Sequence, residues 1–468
     1  MEELRQEGIG TCGAQGTIER RGVADGADAQ AARGRHKGAE KDGNADSSRG
    51  TMRSRIWGTN HTGHRGGLEI LRWIGPGLLV TVGFIDPGNW ATNIAAGSQF
   101  GYGLLWVVTL STLMLIVLQH NVAHLGIVTG ECLAESCSHH LPRPLSRIVL
   151  ASAWAACAAT MMAEVLGGGI ALQMLVGLPI VPGSVLVAIV SLTLLLTNSY
   201  RRIERVIIGF VSLIGLAFLV EIALVDVDWP SAAAGWVVPS MPQGSAAIVV
   251  SVLGAVVMPH NLFLHSEVIQ SQHFEGQGDD VIRERLNHEF ADTLLSMGIG
   301  WAINSAMVIL AASTFFVAGT PVDDLALAAA TLEPMLGPGA RIVFALALLL
   351  AGVSSSVTAG MAAGTVSAGM AGEPYDIRDR HSSLGIVACA VVALVAIVAV
   401  SAVGDAFSGL VWSQALLSLQ LPITVFTQIW LTSNPRVMGR YANGRWMRAL
   451  LVGIAVVVCA LNVVLLAG

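Results

Sequence analysis

Two apolar runs, each long enough to cross a bilayer, are interrupted near their middle by a proline set among polar side chains. The first break reads Asp86-Pro87-Gly88-Asn89 and the second Met258-Pro259-His260-Asn261, so both have the form X-Pro-X-Asn. Proline lacks a backbone donor and clashes with the preceding turn, so it opens a helix and frees carbonyls. In hydrocarbon, open backbone survives only where it lines a polar cavity. A carboxylate at that depth is costly and marks a functional position. Two such breaks at corresponding places in two halves of a chain predict a transporter with one site at the bilayer midplane.

Composition supports a membrane protein. Of 468 residues, 53% are apolar and 12% charged, against about 25% charged in a soluble domain. Apolar runs of about 18 residues or more place eleven spans near 72–98, 101–127, 147–176, 180–197, 205–225, 245–271, 289–317, 340–368, 384–402, 406–431 and 448–466. Residues 1–66 lack apolar periodicity and are rich in Gly, Ala, Arg, Asp and Ser. They read as a disordered tail ahead of a transporter domain over 67–468.

Charge alternates between the loops. Arg143 and Arg147, Arg201, Arg202 and Arg205, Arg283 and Arg285, Arg378 and Arg380, and Arg436, Arg440 and Arg445 fall in one set. Asp226, Asp228, Asp323, Asp324, Glu333 and Asp405 fall in the other. By the positive-inside rule the N-terminus is cytoplasmic and, after eleven spans, the C-terminus lies outside. Trp73, Trp229, Trp236, Trp412 and Trp430 read as interfacial anchors. Spans 1 and 6 run in opposite directions, as expected for an inverted repeat of two five-helix units with an eleventh helix outside it. The expected fold is therefore all-α and integral to the membrane, with helices 1 and 6 broken.

No P-loop, dinucleotide fingerprint or nucleophile elbow occurs. An enzyme is not expected, and an ion gradient is the natural energy source. A nucleic-acid partner and a bound cofactor are not expected either. Cys132 and Cys137, followed by His139 and His140, have a spacing that fits no standard zinc module.

The breaks themselves carry ligand atoms. Asp86 offers a carboxylate and Asn89 an amide oxygen, while the backbone before each break, at Gly83 and Ala255, offers carbonyls. Met258 adds a thioether, though such a methionine is also a common packing residue. Hard Ca²⁺ and Mg²⁺ take oxygen ligands, whereas a thioether suits Mn²⁺, Fe²⁺ and softer ions. His260 lies inside the second break and His265 beyond it. With Glu164 in span 3, both are candidates for proton traffic or gating, set against a plain interhelical hydrogen bond. Glu267 stands within reach of His265 or of an arginine.

Around these residues the chain resembles the Nramp (natural resistance-associated macrophage protein) family of divalent-metal transporters. The likeness rests on Gly83-Phe84-Ile85-Asp86-Pro87-Gly88-Asn89 and on Met258 through Ser266. It extends to Leu125 through Gly130, Ser354 through Ser356, and Ser413-Gln414 with Leu421-Pro422, and covers about residues 68–468. It implies a LeuT-like fold in the plasma membrane and Mn²⁺ or Fe²⁺ as substrates, with H⁺ as the coupled ion. Carried over, the ligands are Asp86, Asn89, Met258 and the Ala255 carbonyl, completed by Gln414. Asn304 lines the vicinity, and His265 sits on the inward path. A monomer in the lipid bilayer is expected.

One departure stands out. Where many members carry an acidic pair in span 3, this chain has Met161-Met162-Ala163-Glu164, with Trp154 at an upstream acidic position and Arg380-His381 where paired arginines are expected. Metal transport with weakened, rerouted or absent proton coupling follows. The rivals are a Mg²⁺-selective variant, opposed by Met258, and a LeuT-like amino-acid/Na⁺ symporter, whose substrate carboxylate Asp86 would repel. A membrane enzyme or receptor is the third, and it lacks a second catalytic group.

Overall fold

The computed structural model describes residues 86–197, 209, 215–271, 278–329 and 337–467. Gly83, Trp73, Arg201, Arg202, Arg205, Glu333 and the tail lie outside them. The described residues are mostly helical, with no strand among them. The helices of eight residues or more are, in chain order, α1 (Pro87–Phe100), α2 (Leu105–Thr129), α3 (Leu133–His140), α4 (Arg143–Val176), α5 (Ile180–Leu196), α6 (Trp229–Val237), α7 (Ala246–Val256), α8 (Pro259–Gln270), α9 (Asp279–Ala311), α10 (Ala340–Ala371), α11 (Arg380–Val403), α12 (Ala406–Thr432) and α13 (Arg445–Ala467).

Eight stretches among the described residues are long and apolar enough to cross a membrane. The stretch Pro87–Thr129 joins the second half of span 1 to span 2, and Ala246–Gln270 holds both halves of span 6. Span 4 is the shorter helix Ile180–Leu196. Of span 5, residues 205–208 and 210–214 lie outside the described residues. Spans 3 and 7–11 each appear as one long helix.

Glycine sets how closely the helices pack, which matters because lipid offers no hydrophobic force to hold them together. On α4, Gly167 receives the Pro87 ring, Gly168 receives Val187, and Gly169 receives Ser184. On α10, Gly352 lies against the backbone of Glu164 and Gly168. A Cβ at any of these would collide with its neighbour. Helix α4 is thereby wedged between the first break and α10, which fixes Glu164 in the interior. Around this bundle, α11 and α13 are mostly exposed along their apolar windows, as befits lipid-facing helices.

The alternating loops gather into two groups. Arg440 pairs with Asp279, and Tyr441 donates to the same carboxylate at 2.7 Å. Ser138, His139, Arg143 and Arg147 share one cavity with Met370, Ala371 and Gly372. In the other group Tyr102 Oη meets Ser313 Oγ at 2.8 Å and accepts from Asp228 N at 3.3 Å. Val322 N donates to Ser98 Oγ at 3.2 Å. In these contacts arginine-bearing loops meet one another, and so do the loops of the acidic set. Trp229, Trp412 and Trp430 are exposed, as interfacial anchors are. Trp236 is half-buried. Its indole donates to Ser305 Oγ at 3.2 Å and its ring lies 5.6 Å from that of Trp301.

Candidate functional site

The first break is a helix start built inside the protein. Asp86 has extended backbone (φ −107°, ψ 164°) and caps α1, with Pro87 in the first turn, where a missing N–H costs nothing. Asp86 Oδ1 accepts from Asn89 N at 2.7 Å, and Oδ2 accepts from Asn89 Nδ2 at 2.9 Å. Gly88 is required by close approach. A Cβ there would overlap the Gln414 side-chain amide and would lie 3.1 Å from Asp86 Oδ1. Gln414, on α12, therefore sits over the Asp86 carboxylate.

The second break separates α7 from α8. Val257 (φ −100°, ψ 71°) and Met258 (φ −72°, ψ 115°) leave the helical region, and Pro259 begins α8. The last carbonyls of α7 lose their helical partners there. Ala255 O accepts from Asn89 Nδ2 at 3.1 Å. One amide, that of Asn89, therefore joins both breaks. Gly254 lies directly beneath the Gln414 carbonyl, and a Cβ there would overlap it. Met258 is buried against Ala156, Ala159 and Leu417, and its sulfur accepts from Asn261 Nδ2 at 3.3 Å.

The chemistry of the site is acceptor-rich. Asp86, Asn89 and Gln414 are fully buried. Asn89 Oδ1 and Gln414 Oε1 are buried with no hydrogen-bond partner, and a buried acceptor without a donor costs about 1–3 kcal/mol. With the Asp86 carboxylate and the Ala255 carbonyl at the C-terminal end of α7, the negative end of that half-helix, the arrangement suits a cation. Among the described residues no three His, Cys, Asp or Glu side chains form a metal cage. The site has a single charge, completed by amides and a carbonyl.

Other expected residues fall apart from this point. His260 turns toward α4, where its Nδ1 meets Thr160 Oγ1 at 3.1 Å. Asn304 accepts from Asn93 Nδ2 at 2.8 Å and ties α9 to α1. Glu164 is fully buried, and neither carboxyl oxygen has a hydrogen-bond partner. Met161 is buried with its Cε near Gly360 of α10, and Trp154 donates to Gly385 O at 3.3 Å. Both fill packing positions. Glu267 meets the Cys132 side chain rather than an arginine. His381 pairs with the exposed Glu373 at 2.9 Å.

Among the described residues the cysteine–histidine run forms no metal cage. His139 and His140 both face Glu131, at 3.0 and 3.1 Å. Cys132 and Cys137 are buried, and burial pushes both thiols up, away from the thiolate form that a metal needs.

His265 carries a surprise. Its Nε2 lies 3.3 Å from Glu289 Oε1, and Glu289 Oε2 lies 2.5 Å from His120 Nδ1. The sequence reading used Glu289 only as the edge of span 7 and did not single out His120. The signal available was Gln119-His120-Asn121 and His124, polar side chains set together in the second half of an apolar run.

The model of the family described as natural resistance-associated macrophage protein-like matches residues 77–468. A protein named divalent metal cation transporter MntH from Ralstonia nicotianae is 38% identical over 388 residues, covering 81% of this chain and 86% of its own length. Its namesake from Acidiphilium cryptum is 36% identical over 408 residues, covering 86% and 92%. The crystal structure of the Eremococcus coleocola manganese transporter with an aromatic bis-isothiourea compound superposes with a TM-score of 0.71 at 26% identity, over 86% of this chain and 88% of that one. Mhp1, a nucleobase-cation-symport-1 family transporter, aligns at a TM-score of 0.56 and 16% identity over 83% and 88%, a likeness of fold alone. The fold is LeuT-like, and the chain belongs to the Nramp family.

Proposed function

We propose that this chain is a secondary transporter that imports divalent transition-metal ions, Mn²⁺ or Fe²⁺, by alternating access around the two breaks. The relatives named as divalent metal cation transporters support this reading. The observation that carries it is the bridge from Asp86 through Asn89 to the Ala255 carbonyl. Turning the Asn89 amide exchanges Nδ2 for Oδ1, which brings a third oxygen beside Asp86 Oδ2 and Ala255 O. Gln414 Oε1 stands ready as a fourth acceptor. One carboxylate compensates a divalent ion only in part, so the ion is held and released rather than trapped, as carriage requires.

Met258 supplies discrimination. Its sulfur reaches the ion on leaving the Asn261 amide, a weak bond to exchange. Hard cations gain nothing from that step, whereas Mn²⁺ and softer ions do. In this reading the plasma membrane holds a monomer with the N-terminal tail of residues 1–66 and the arginine-bearing loops in the cytoplasm. Proton coupling is altered, because the α4 face offers Glu164 alone, with Met161 packed against α10. Uptake of Mn²⁺ into proteoliposomes tests the function. Saturable uptake that resists a large excess of Mg²⁺ or Ca²⁺ is expected. Uptake of amino acids with Na⁺, or block by Mg²⁺, would overturn the assignment.

A further inference from the structure

We propose that the cavity between the ends of α3, α4 and α10 is a binding site for the phosphate of an anionic phospholipid. The cavity has a volume of about 390 Å³. Its polar wall is made by Ser138 and His139 of α3 and by Arg143, Ser146 and Arg147 of α4, and Gly372 closes it after α10. No carboxylate lines it. None of these residues belongs to either break. Along α4, Arg143 is about 30 Å from Glu164 at 1.5 Å per residue, so the cavity is a second site, apart from the metal.

The donors of the cavity are uncommitted. The nearby acids are held by histidines. Glu131 faces His139 and His140 at 3.0 and 3.1 Å, and Glu373 faces His381 at 2.9 Å. Among the described residues neither the Arg143 nor the Arg147 guanidinium has an ion pair or a hydrogen-bond partner. Nor are the arginines needed to close the carbonyl end of α10. There Gly372 N donates to Gly369 O at 3.1 Å and Glu373 N to Ala368 O at 3.0 Å. Ser146 is 5% exposed and lines the cavity, and its hydroxyl has no partner either. A buried hydroxyl ordinarily finds one. Helix α4 opens at Arg143 without a side-chain cap, so the positive end of its dipole borders the same space.

Two guanidinium forks with a hydroxyl between them match the oxygens of a phosphate. The surroundings name its source as the bilayer. Leu145 and Ile148, beside the two arginines on α4, are 46% and 62% exposed. Ala151 and Ala155 continue the same exposed face at helical spacing. On the α10 wall of the cavity, Met370 is exposed as well. A phosphate seated on Arg143 and Arg147 therefore sends its acyl chains along an apolar face of α4. A free phosphate makes no use of that face. Basic pockets between membrane helices at headgroup level take anionic lipids in this way. The bound phosphate ties the start of α4 to the end of α10, two helices already in backbone contact at Gly168 and Gly352. Its occupancy stabilises the folded protein by mass action.

The test adds phosphatidylglycerol, phosphatidylcholine or inorganic phosphate in turn to the full-length protein in neutral detergent. Native mass spectrometry counts the bound lipid, and thermal unfolding reads the stabilisation. Phosphatidylglycerol should bind the wild-type protein and raise its unfolding midpoint above that in phosphatidylcholine. Arg143→Gln with Arg147→Gln should weaken phosphatidylglycerol binding by about tenfold or more and erase the difference between the lipids. Each single substitution should weaken it by about threefold or more, and the single variants decide if the double variant fails to fold. Arg436→Gln with Arg445→Gln, two arginines outside the cavity, should leave binding unchanged. Equal binding by the wild-type protein and the cavity variants, or an equal loss in the Arg436 and Arg445 pair, overturns the site. An arginine-dependent shift of the same size with inorganic phosphate overturns the lipid as its occupant. Neither result bears on Mn²⁺ uptake, so the transport reading stands or falls separately.

Discussion

The two breaks are built on one pattern and carry different chemistry. Each places a proline at the start of a half-helix with an asparagine two residues on. At the first, the capping residue is Asp86, and its carboxylate holds the Asn89 N–H and side chain. At the second, the capping residue is Met258, whose side chain makes no cap. The first break therefore supplies the charge and a fixed geometry. The second supplies the Ala255 carbonyl and a sulfur on a loosely held turn. In the proposed reading, repetition of a fold element divides the labour, with attraction for any cation on one side and choice among cations on the other.

Removing the charge should have the largest effect. Asp86→Ala leaves amides and a carbonyl to face a divalent ion, and loss of a buried charge partner costs about 2–5 kcal/mol. Metal uptake should fall about a hundredfold or more, to the level of empty vesicles. Packing between the breaks comes next. Gly254→Ala drives a Cβ into the Gln414 backbone carbonyl, which cannot step aside, so thermal unfolding should show a loss of about 1–3 kcal/mol. Gly88→Ala meets the Gln414 side-chain amide instead. It should cost less stability, because that amide can rotate. The smallest effect on Mn²⁺ should come from Met258→Ala, about threefold to tenfold in uptake. Its signature is a change of selectivity, with Ca²⁺ becoming an effective competitor.

The breaks were legible because membrane physics leaves so few reasons for Asp-Pro-Gly-Asn in an apolar run. The division of arginines and acids among loops was legible for the same reason. Side-chain partnerships were not legible. Nothing in the spacing tells that His260 turns to Thr160 or that His265 turns to Glu289. Those choices depend on how other helices close on α8, and that packing is set by residues far away in sequence, such as Gly126 of α2, which lies against the Ser266 carbonyl and Ile269. The partners of the half-buried Trp236, Ser305 and Trp301, were hidden for a related reason. Glu289 was hidden at a span edge, where a carboxylate ordinarily faces water.

The division of labour between the breaks is tested most directly by Mn²⁺ uptake with and without excess Ca²⁺, measured in parallel on Asp86→Ala and Met258→Ala proteoliposomes. The account predicts no uptake from the Asp86 variant under either condition. It predicts uptake from the Met258 variant that Ca²⁺ now suppresses. Uptake retained by Asp86→Ala, or Ca²⁺ exclusion unchanged in Met258→Ala, would contradict it.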